Sequence, residues 1–355
     1  MVQLRLDLGN GISGDMLTAA LIDAGADFEK IKKALRPLAR IKIKEVEKLG
    51  VRALYFTSIY KPKSREYGDL QKSITSLSLP QPAEVFALKT LNILAEAEAF
   101  AHNTELKNVH LHEAVDIVVE ACAVALALFD LKISHVYATP LAVGKVAPAT
   151  AFILKKYSIP HYFRSEKEIA TPTGAALLSA LGPEFREKYI EGREGRGAGR
   201  MNLSYPNILR VVVGNPLTLL ESNIDDATPE LLAHAQNKLM ERGALDVHIL
   251  PCIMKKGRAG HLFRVLTSQP SLHARILMEE TGVLGVREIE VSRRFKVERS
   301  VEEKEVKVYG KKEKIHVKIS PLGLKPEFED LIKLASKYGK SVREIEKEIK
   351  NNLVE

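Results

Sequence analysis

Apolar and polar positions follow readable periods along most of the 355 residues. Residues 2–8 alternate, with Val2, Leu4, Leu6 and Leu8 on one side, which predicts a half-buried strand. A glycine-rich turn follows, then a helix through Leu17, Ala20, Leu21 and Ala24 that stops at Gly25. A second helix is expected over 28–35, and residues 41–46 and 51–60 alternate like a hairpin around Gly50. Pro80 and Pro82 open a long helical stretch over 83–101. A very apolar helix is expected to start near His112 and run to Phe129, before a short strand beginning at Val136 and Tyr137. Pro140, Pro148 and Pro160 divide the next region into short pieces. Thr171-Pro172-Thr173-Gly174 then offers a hydroxyl N-cap to the helix that begins Ala175-Ala176-Leu177-Leu178. Residues 182–206 read as a linker, because Glu191-Gly192-Arg193-Glu194-Gly195-Arg196-Gly197-Ala198-Gly199-Arg200 is too glycine-rich for a packed element.

Beyond a strand at 208–213 the rhythm changes. A strand over 217–224 leads to a helix over 229–242, with Thr228 as N-cap, Pro229 at its first position and Gly243 past its end. Residues 246–253 and 262–266 read as a hairpin, 271–281 as a helix and 286–297 as a strand. The order β-α-β-β-α-β is the ferredoxin-like split βαβ pattern. Two more strands, near 306–309 and 314–319, and two helices follow, with no internal repeat of 20–50 residues. The expected fold class is therefore α+β: an N-terminal mixed α/β domain over 1–182, a linker and connecting strand over 183–214, and a C-terminal ferredoxin-like domain with extra strands and helices over 215–355.

Composition narrows the function classes. At 45% hydrophobic and 28% charged residues the chain can bury a sizeable core. No apolar run reaches the roughly 18 residues of a membrane span, and the N-terminus reads as a strand and not a signal peptide, so a soluble cytoplasmic protein is expected. The two cysteines, Cys122 and Cys252, form no Cys-x-x-Cys pair, so any transition-metal site must rely on histidines and carboxylates. A net charge of +8 raises nucleic-acid binding as a function class. The lysines are interleaved with glutamates, as in Val301-Glu302-Glu303-Lys304-Glu305-Val306-Lys307, which is the pattern of a solvated face. Abundant Lys, Arg and Glu with few Cys and no Trp point weakly to a thermophile.

Three segments could carry chemistry. In Asn108-Val109-His110-Leu111-His112-Glu113, followed by Ala114-Val115-Asp116, two imidazoles and a carboxylate fall within four residues. Such donors suit nickel, zinc, copper or iron better than magnesium or calcium. His110 and His112 share a face if extended. Asp116 and Glu120 would lie on one stripe of a helix starting near His112, where apolar surroundings make carboxylates costly unless paired, protonated or metal-bound. The simpler alternative is a helix cap, with Glu113 at the positive helix end. Gly9-Asn10-Gly11-Ile12-Ser13-Gly14 has the form of a phosphate-approaching loop, but Asp27 precedes a helix where a dinucleotide fold would place a second strand, so a tight structural turn is the alternative. Asp15, at the helix start, could cap or bind metal. In Glu221-Ser222-Asn223-Ile224-Asp225-Asp226 three oxygen donors share one strand face, a set suited to Mg or Mn. Lys255, Lys256 and Arg258 sit at the hairpin tip of the same domain and could hold a triphosphate carrying that cation. Acidic strand ends and exposed basic turns are the plain alternatives. No Walker A, Gly-x-Ser-x-Gly or His-Glu-x-x-His sequence is present.

In this order these motifs resemble the LarC family of nickel-insertion proteins. The matching pieces include Gly11-Ile12-Ser13-Gly14-Asp15-Met16, the His110–Glu113 run, Thr171–Leu178, Gly195–Gly199, Pro206-Asn207-Ile208-Leu209-Arg210-Val211, Glu221–Asp226, Gly243-Ala244-Leu245-Asp246-Val247, Met254-Lys255-Lys256 and Thr281–Arg287, and they span nearly the whole chain. The resemblance implies a CTP-dependent nickel chelatase of the lyase class. Such an enzyme inserts Ni(II) into pyridinium-3,5-bisthiocarboxylic acid mononucleotide and cleaves CTP to CMP and pyrophosphate with Mn(II) or Mg(II). The product is the nickel-pincer cofactor of lactate racemase and related enzymes. On that reading His110, His112 and Glu113 hold nickel, with Asp116 as a further ligand or a support behind the ligands, and Asp15 and Asp116 as the catalytic pair. Gly11, Ser13, Gly14, Thr171 and Thr173 shape the precursor site. Glu221, Asn223, Asp225 and Asp226 take the CTP-bound cation, and Lys255, Lys256 and Arg258 the triphosphate. The partners implied are the precursor and the nickel-pincer-dependent apoenzyme, with a homo-oligomer expected.

The chain departs from the family pattern in three places. Glu113 runs directly into Ala114 where relatives carry extra residues including a glycine. Only Gly144-Lys145-Val146-Ala147-Pro148-Ala149-Thr150 stands where they carry a histidine-containing glycine loop, and Arg65-Glu66-Tyr67-Gly68-Asp69-Leu70 stands where they often have histidines. These shortened loops support a second hypothesis, a nickel (or other metal) storage or delivery protein without nucleotide turnover. A basic nucleic-acid-binding protein is the third, resting on net charge alone.

Overall fold

The computed structural model describes residues 2–60, 64–111, 116–297 and 299–352. They form two compact units, Met1–Arg293 and Arg294–Glu355. The first unit opens with β1 (Val2–Asp7), α1 (Gly14–Asp23), α2 (Phe28–Leu35), β2 (Arg40–Lys48) and β3 (Val51–Ile59). It continues through α3 (Tyr67–Thr75), α4 (Gln81–Ala101), α5 (Ile117–Asp130), β4 (Ile133–Ala138), β5 (Leu141–Val143), α6 (Pro148–Lys156), β6 (His161–Phe163), α7 (Pro172–Leu181), β7 (Ile190–Ala198) and β8 (Ile208–Pro216). Six of these strands make one mixed sheet in the order β2-β3-β7-β8-β1-β4. β1 runs parallel to β4 and antiparallel to β8. The core lies where α1 packs on the sheet and α4, α5 and α7 pack around α1 and one another, and it is rich in alanine, with Ala20, Ala87, Ala95, Ala121, Ala123 and Ala176 all buried. α5 is buried from Ile117 through Ala125, as its all-round apolar sequence requires.

One expectation is corrected here. The glycine-rich run within 183–214 is not a linker: its residues 190–198 form β7, an internal strand of the sheet. The glycines serve close packing. A Cβ on Gly197 would sit 1.9 Å from the Met16 carbonyl oxygen, and one on Gly195 would sit 2.1 Å from that of Ala20. α1 thus lies directly on the strand backbone, and a glycine run that reads as a loop is a groove for a helix. Among the described residues the apolar helix begins at Ile117, with Asp116 at its N-cap position; the start expected near His112 falls on residues 112–115, which lie outside them.

The remainder of the first unit is β9 (Thr218–Ile224), α8 (Pro229–Glu241), β10 (Asp246–Ile253), β11 (Ala259–Thr267), α9 (Pro270–Thr281) and β12 (Arg287–Glu290). The β-α-β-β-α-β order is the one expected, and the sheet runs β10-β11-β9-β12 with all neighbours antiparallel. Thr228 caps α8 through the Leu231 N–H, and Leu232, Ala235 and Leu239 pack on Phe263 and Val265. The strand expected over 286–297 ends at Glu290. Lys188, just before β7, holds Glu290 at 2.8 Å. The second unit contains β13 (Ser300–Val308), β14 (Lys311–Ser320), β15 (Gly323–Pro326), α10 (Phe328–Tyr338) and α11 (Val342–Asn352) around its own core of Val308, Ile315, Val317 and Ile345. No helix among the described residues is long and apolar enough to cross a membrane.

The β7–α1 contact yields a prediction. Gly197→Ala forces the strand away from the α1 backbone and is expected to cost about 1–3 kcal/mol. Urea unfolding should show a lowered midpoint with an unchanged slope. A midpoint equal to that of the parent would show that the helix does not rest on this glycine.

Candidate functional site

Three helices begin at one cleft of about 300 Å³. Ser13, Gly14, Asp15 and Met16 enter it from the start of α1. Thr171 and Thr173 enter from the start of α7, and Asp116 and Glu120 from the start of α5. Local chain geometry aims each of them. Gly11 takes φ +87°, a conformation glycine adopts freely, and the Ile12 N–H then reaches the Ile169 carbonyl at 2.9 Å. The Thr171 N–H returns to the Ile12 carbonyl at 3.0 Å, so the α1 and α7 entrances are laced together. The Thr171 hydroxyl accepts from the Gly174 N–H at 3.1 Å, as the N-cap reading expects.

Charge in the cleft is dense. Asp15 is 5% exposed; one of its carboxylate oxygens accepts the Ser13 hydroxyl and the Met16 N–H. The other lies 3.4 Å from Nε of Arg200, whose Nη2 is 4.0 Å from Asp116. Arg200 follows β7 by two residues, so the strand that the sequence conceals delivers the cleft's cation. Glu120 lies one helical turn past Asp116 and is 6% exposed. Its carboxyl packs against Gly14, where a Cβ would stand 1.9 Å from Oε2. Burial, with Asp15 and Asp116 nearby, pushes the Glu120 acid well above the ordinary carboxylate range. Asp116 is raised as well, chiefly by burial, with Arg200 opposing. The Cys122 thiol, two residues past Glu120 on α5, is pushed by burial up to about 12 and offers no thiolate.

The other expected residues divide. His110 is exposed in an extended segment whose backbone bridges to Glu66, and it does not line the cleft. His112 and Glu113 lie outside the described residues. Among the described residues, no three His, Cys, Asp or Glu side chains stand close enough to hold one metal ion. On β9, Glu221 sits between Arg264 at 2.7 Å and Arg287 at 3.6 Å, and Asn223 accepts from Arg287 at 3.0 Å. Asp225 pairs with Arg258 at 3.0 Å, so the acidic strand end and the basic hairpin tip do meet. Asp226, Lys255 and Lys256 are exposed. Asp225 also borders a groove of about 620 Å³ with Pro251, Cys252 and His261.

The family model described as nickel insertion protein matches residues 4–346. The chain belongs to that family. A relative from Methanosarcina barkeri, named for nickel insertion, is 34% identical over 95% of this chain and 94% of its own length. The pyridinium-3,5-bisthiocarboxylic acid mononucleotide nickel insertion protein of Desulfitobacterium hafniense is 33% identical over 97% of this chain and 95% of its own. A solved structure, the apo C-terminal domain LarC2 of a cyclometallase involved in synthesis of the NPN cofactor of lactate racemase, is 26% identical; the match covers 40% of this chain and 99% of that domain, at a TM-score of 0.36.

Within this nickel-insertion chain, sequence reasoning missed Arg200, Glu168 and Asn207 in the cleft, and it noticed Glu120 without assigning it a role. A carboxylate inside the apolar run Ile117–Cys122 was the available signal for Glu120. Arg200, read as part of a linker, carried none.

The Glu120 environment gives a pH-dependent prediction. The folded protein binds this proton more tightly than the unfolded chain, so stability falls as pH rises from the ordinary glutamate range toward the raised value. Glu120→Gln removes that cost. Its stability relative to the parent should be near parity at about pH 4 and increase toward about pH 8 in urea unfolding. A difference that stays constant across this range would show that the acid is not held neutral.

Proposed function

We propose that this nickel insertion protein places Ni(II) into pyridinium-3,5-bisthiocarboxylic acid mononucleotide, with CTP cleavage assisted by Mn(II) or Mg(II). The observation that carries the reading is the convergence of Ser13, Asp15, Asp116, Thr171 and Thr173, from three separate motifs, on one cleft large enough for a small ligand. The relative from Desulfitobacterium hafniense is named for that precursor. In the cleft, the first turns of α1 and α7 present hydroxyls and helix N-termini to the precursor's phosphate. Gly11 shapes this end of the cleft by its close approach to the Ile169 backbone, and Gly14 by making room for the Glu120 carboxyl. Asp15 and Asp116 are the catalytic carboxylates. Nickel is cargo: His110, His112 and Glu113 receive it, and Asp116, three residues further on, connects that run to the cleft.

The nucleotide half of the reading rests on the pair Asp225–Arg258. The carboxylates of β9 are occupied by arginines. An incoming cation–triphosphate complex supplies both opposite charges at once, the cation for Glu221, Asn223, Asp225 and Asp226 and the phosphates for Lys255, Lys256 and Arg258. The donor set is all oxygen on the acidic side, which fits Mn(II) or Mg(II). When bound, that ion offsets triphosphate charge. Transfer of the product to a nickel-pincer-dependent apoenzyme and assembly as a homo-oligomer belong to the same proposal.

A metal-delivery protein without nucleotide turnover is the second reading. The Methanosarcina barkeri alignment runs over 377 positions, more than the 355 residues present here, so relatives carry segments that this chain lacks.

Reconstitution with Ni(II), Mn(II) or Mg(II), CTP and the precursor tests both. Nickel-complex absorbance that appears only with CTP, together with CMP, supports insertion. Tight nickel binding with neither product nor CMP supports delivery. His110→Ala with His112→Ala should abolish nickel binding and spare CTP binding; loss of both together, or of neither, defeats the division of labour. Lys255→Ala with Lys256→Ala should weaken CTP binding about tenfold or more at low salt while nickel binding is kept, as expected for two charge-assisted contacts.

A further inference from the structure

The acidic floor of the cleft is not accounted for by a phosphate. A phosphate suits the helix starts and Arg200, whereas Asp15 and Asp116 repel it. Glu120 is the sharper problem: it is 6% exposed, it lines the cleft, and its Oε2 has no hydrogen-bond partner among the described residues. That oxygen is packed against Gly14 at the wall of the cleft, and a buried acceptor without a partner calls for a cation or donor. A bare metal ion is a poor match, because no three ligating side chains among the described residues gather at one point. Carboxylates spread around about 300 Å³ suit a larger cation whose charge is spread over a ring. Met16, Ile169 and Met201 supply apolar and sulfur surfaces for the faces of such a ring.

We propose that the cleft selects its ligand by the positive charge of a pyridinium ring, which it seats against Asp116 and Glu120, with the ring's acid substituents turned to Arg200. The inference rests on the precursor reading above and specifies how that molecule lies. Arg200 now bridges Asp15 and Asp116; on binding, its exposed guanidinium exchanges part of that bridge for a carboxylate or thiocarboxylate of the ligand. The ring takes over the arginine's electrostatic role beside Asp116. A neutral pyridine of the same outline leaves Glu120 unanswered and adds uncompensated negative charge.

Calorimetric titration of the full chain with N-methylpyridinium-3,5-dicarboxylate and with pyridine-3,5-dicarboxylate tests this. The cationic ring should bind at least about tenfold more tightly, in keeping with a charge contact in a shielded cleft. Glu120→Gln and Asp116→Asn should each shrink that preference, while Thr173→Ala should weaken the precursor mononucleotide and leave the preference between the two phosphate-free rings intact. Equal binding of the two rings by the parent protein overturns the charge selection and spares the precursor reading. Failure of both rings and of the precursor mononucleotide to bind overturns the precursor reading itself. Stoichiometric Ni(II) binding without any ring, lost in Glu120→Gln and kept in His110→Ala, overturns the proposal by assigning the acidic floor to a metal ion.

Discussion

The backbone contact between β7 and α1 is the constraint on which the cleft depends. Gly195 and Gly197 let the helix rest on the strand at a distance no side chain permits. That contact fixes where α1 begins, and hence where Ser13 and Asp15 point. It also fixes where β7 ends, and two residues later Arg200 stands over Asp15. One close approach therefore places an acid and its counter-charge from sites 185 residues apart in the chain.

Around that contact the electrostatics are balanced at some cost. Carboxylates at helix starts are favoured by the helix dipole, and Asp15 and Asp116 both occupy such positions. Burial works against them. Arg200 offsets part of the penalty for Asp15 and Asp116, while burial raises the Glu120 acid well above the ordinary carboxylate range. A cleft maintained in this condition is unfavourable for folding and suited to a ligand of opposite charge. Such a compromise is usual where a site is built to bind and not to stabilise.

The β9 region shows a different balance. Its acids are paired with arginines from β11, β12 and the β10–β11 turn, at distances from 2.7 to 3.6 Å. These pairs offset the acids in the resting sheet; under the function proposed above, a cation–triphosphate complex would separate them. The two regions thus use opposite strategies: one leaves an acid oxygen of Glu120 without a hydrogen bond among the described residues, the other pairs Glu221 and Asp225 with arginines.

Much of this architecture was legible in the chain itself. Alternation in Val2–Leu8, Pro229 after Thr228, and the spacing of strands and helices from Thr218 to Glu290 determined those elements, because each depends on side-chain period and caps within a few residues. Motif order fixed the family for the same reason. Two things were settled only in three dimensions. The glycine-rich run became an internal strand because a helix from near the N-terminus packs where its side chains would stand. Glu120 and Arg200 became site residues because burial and counter-charge come from Gly14 and Asp15, more than 100 residues away in sequence, and local pattern carries no information about a partner at that distance.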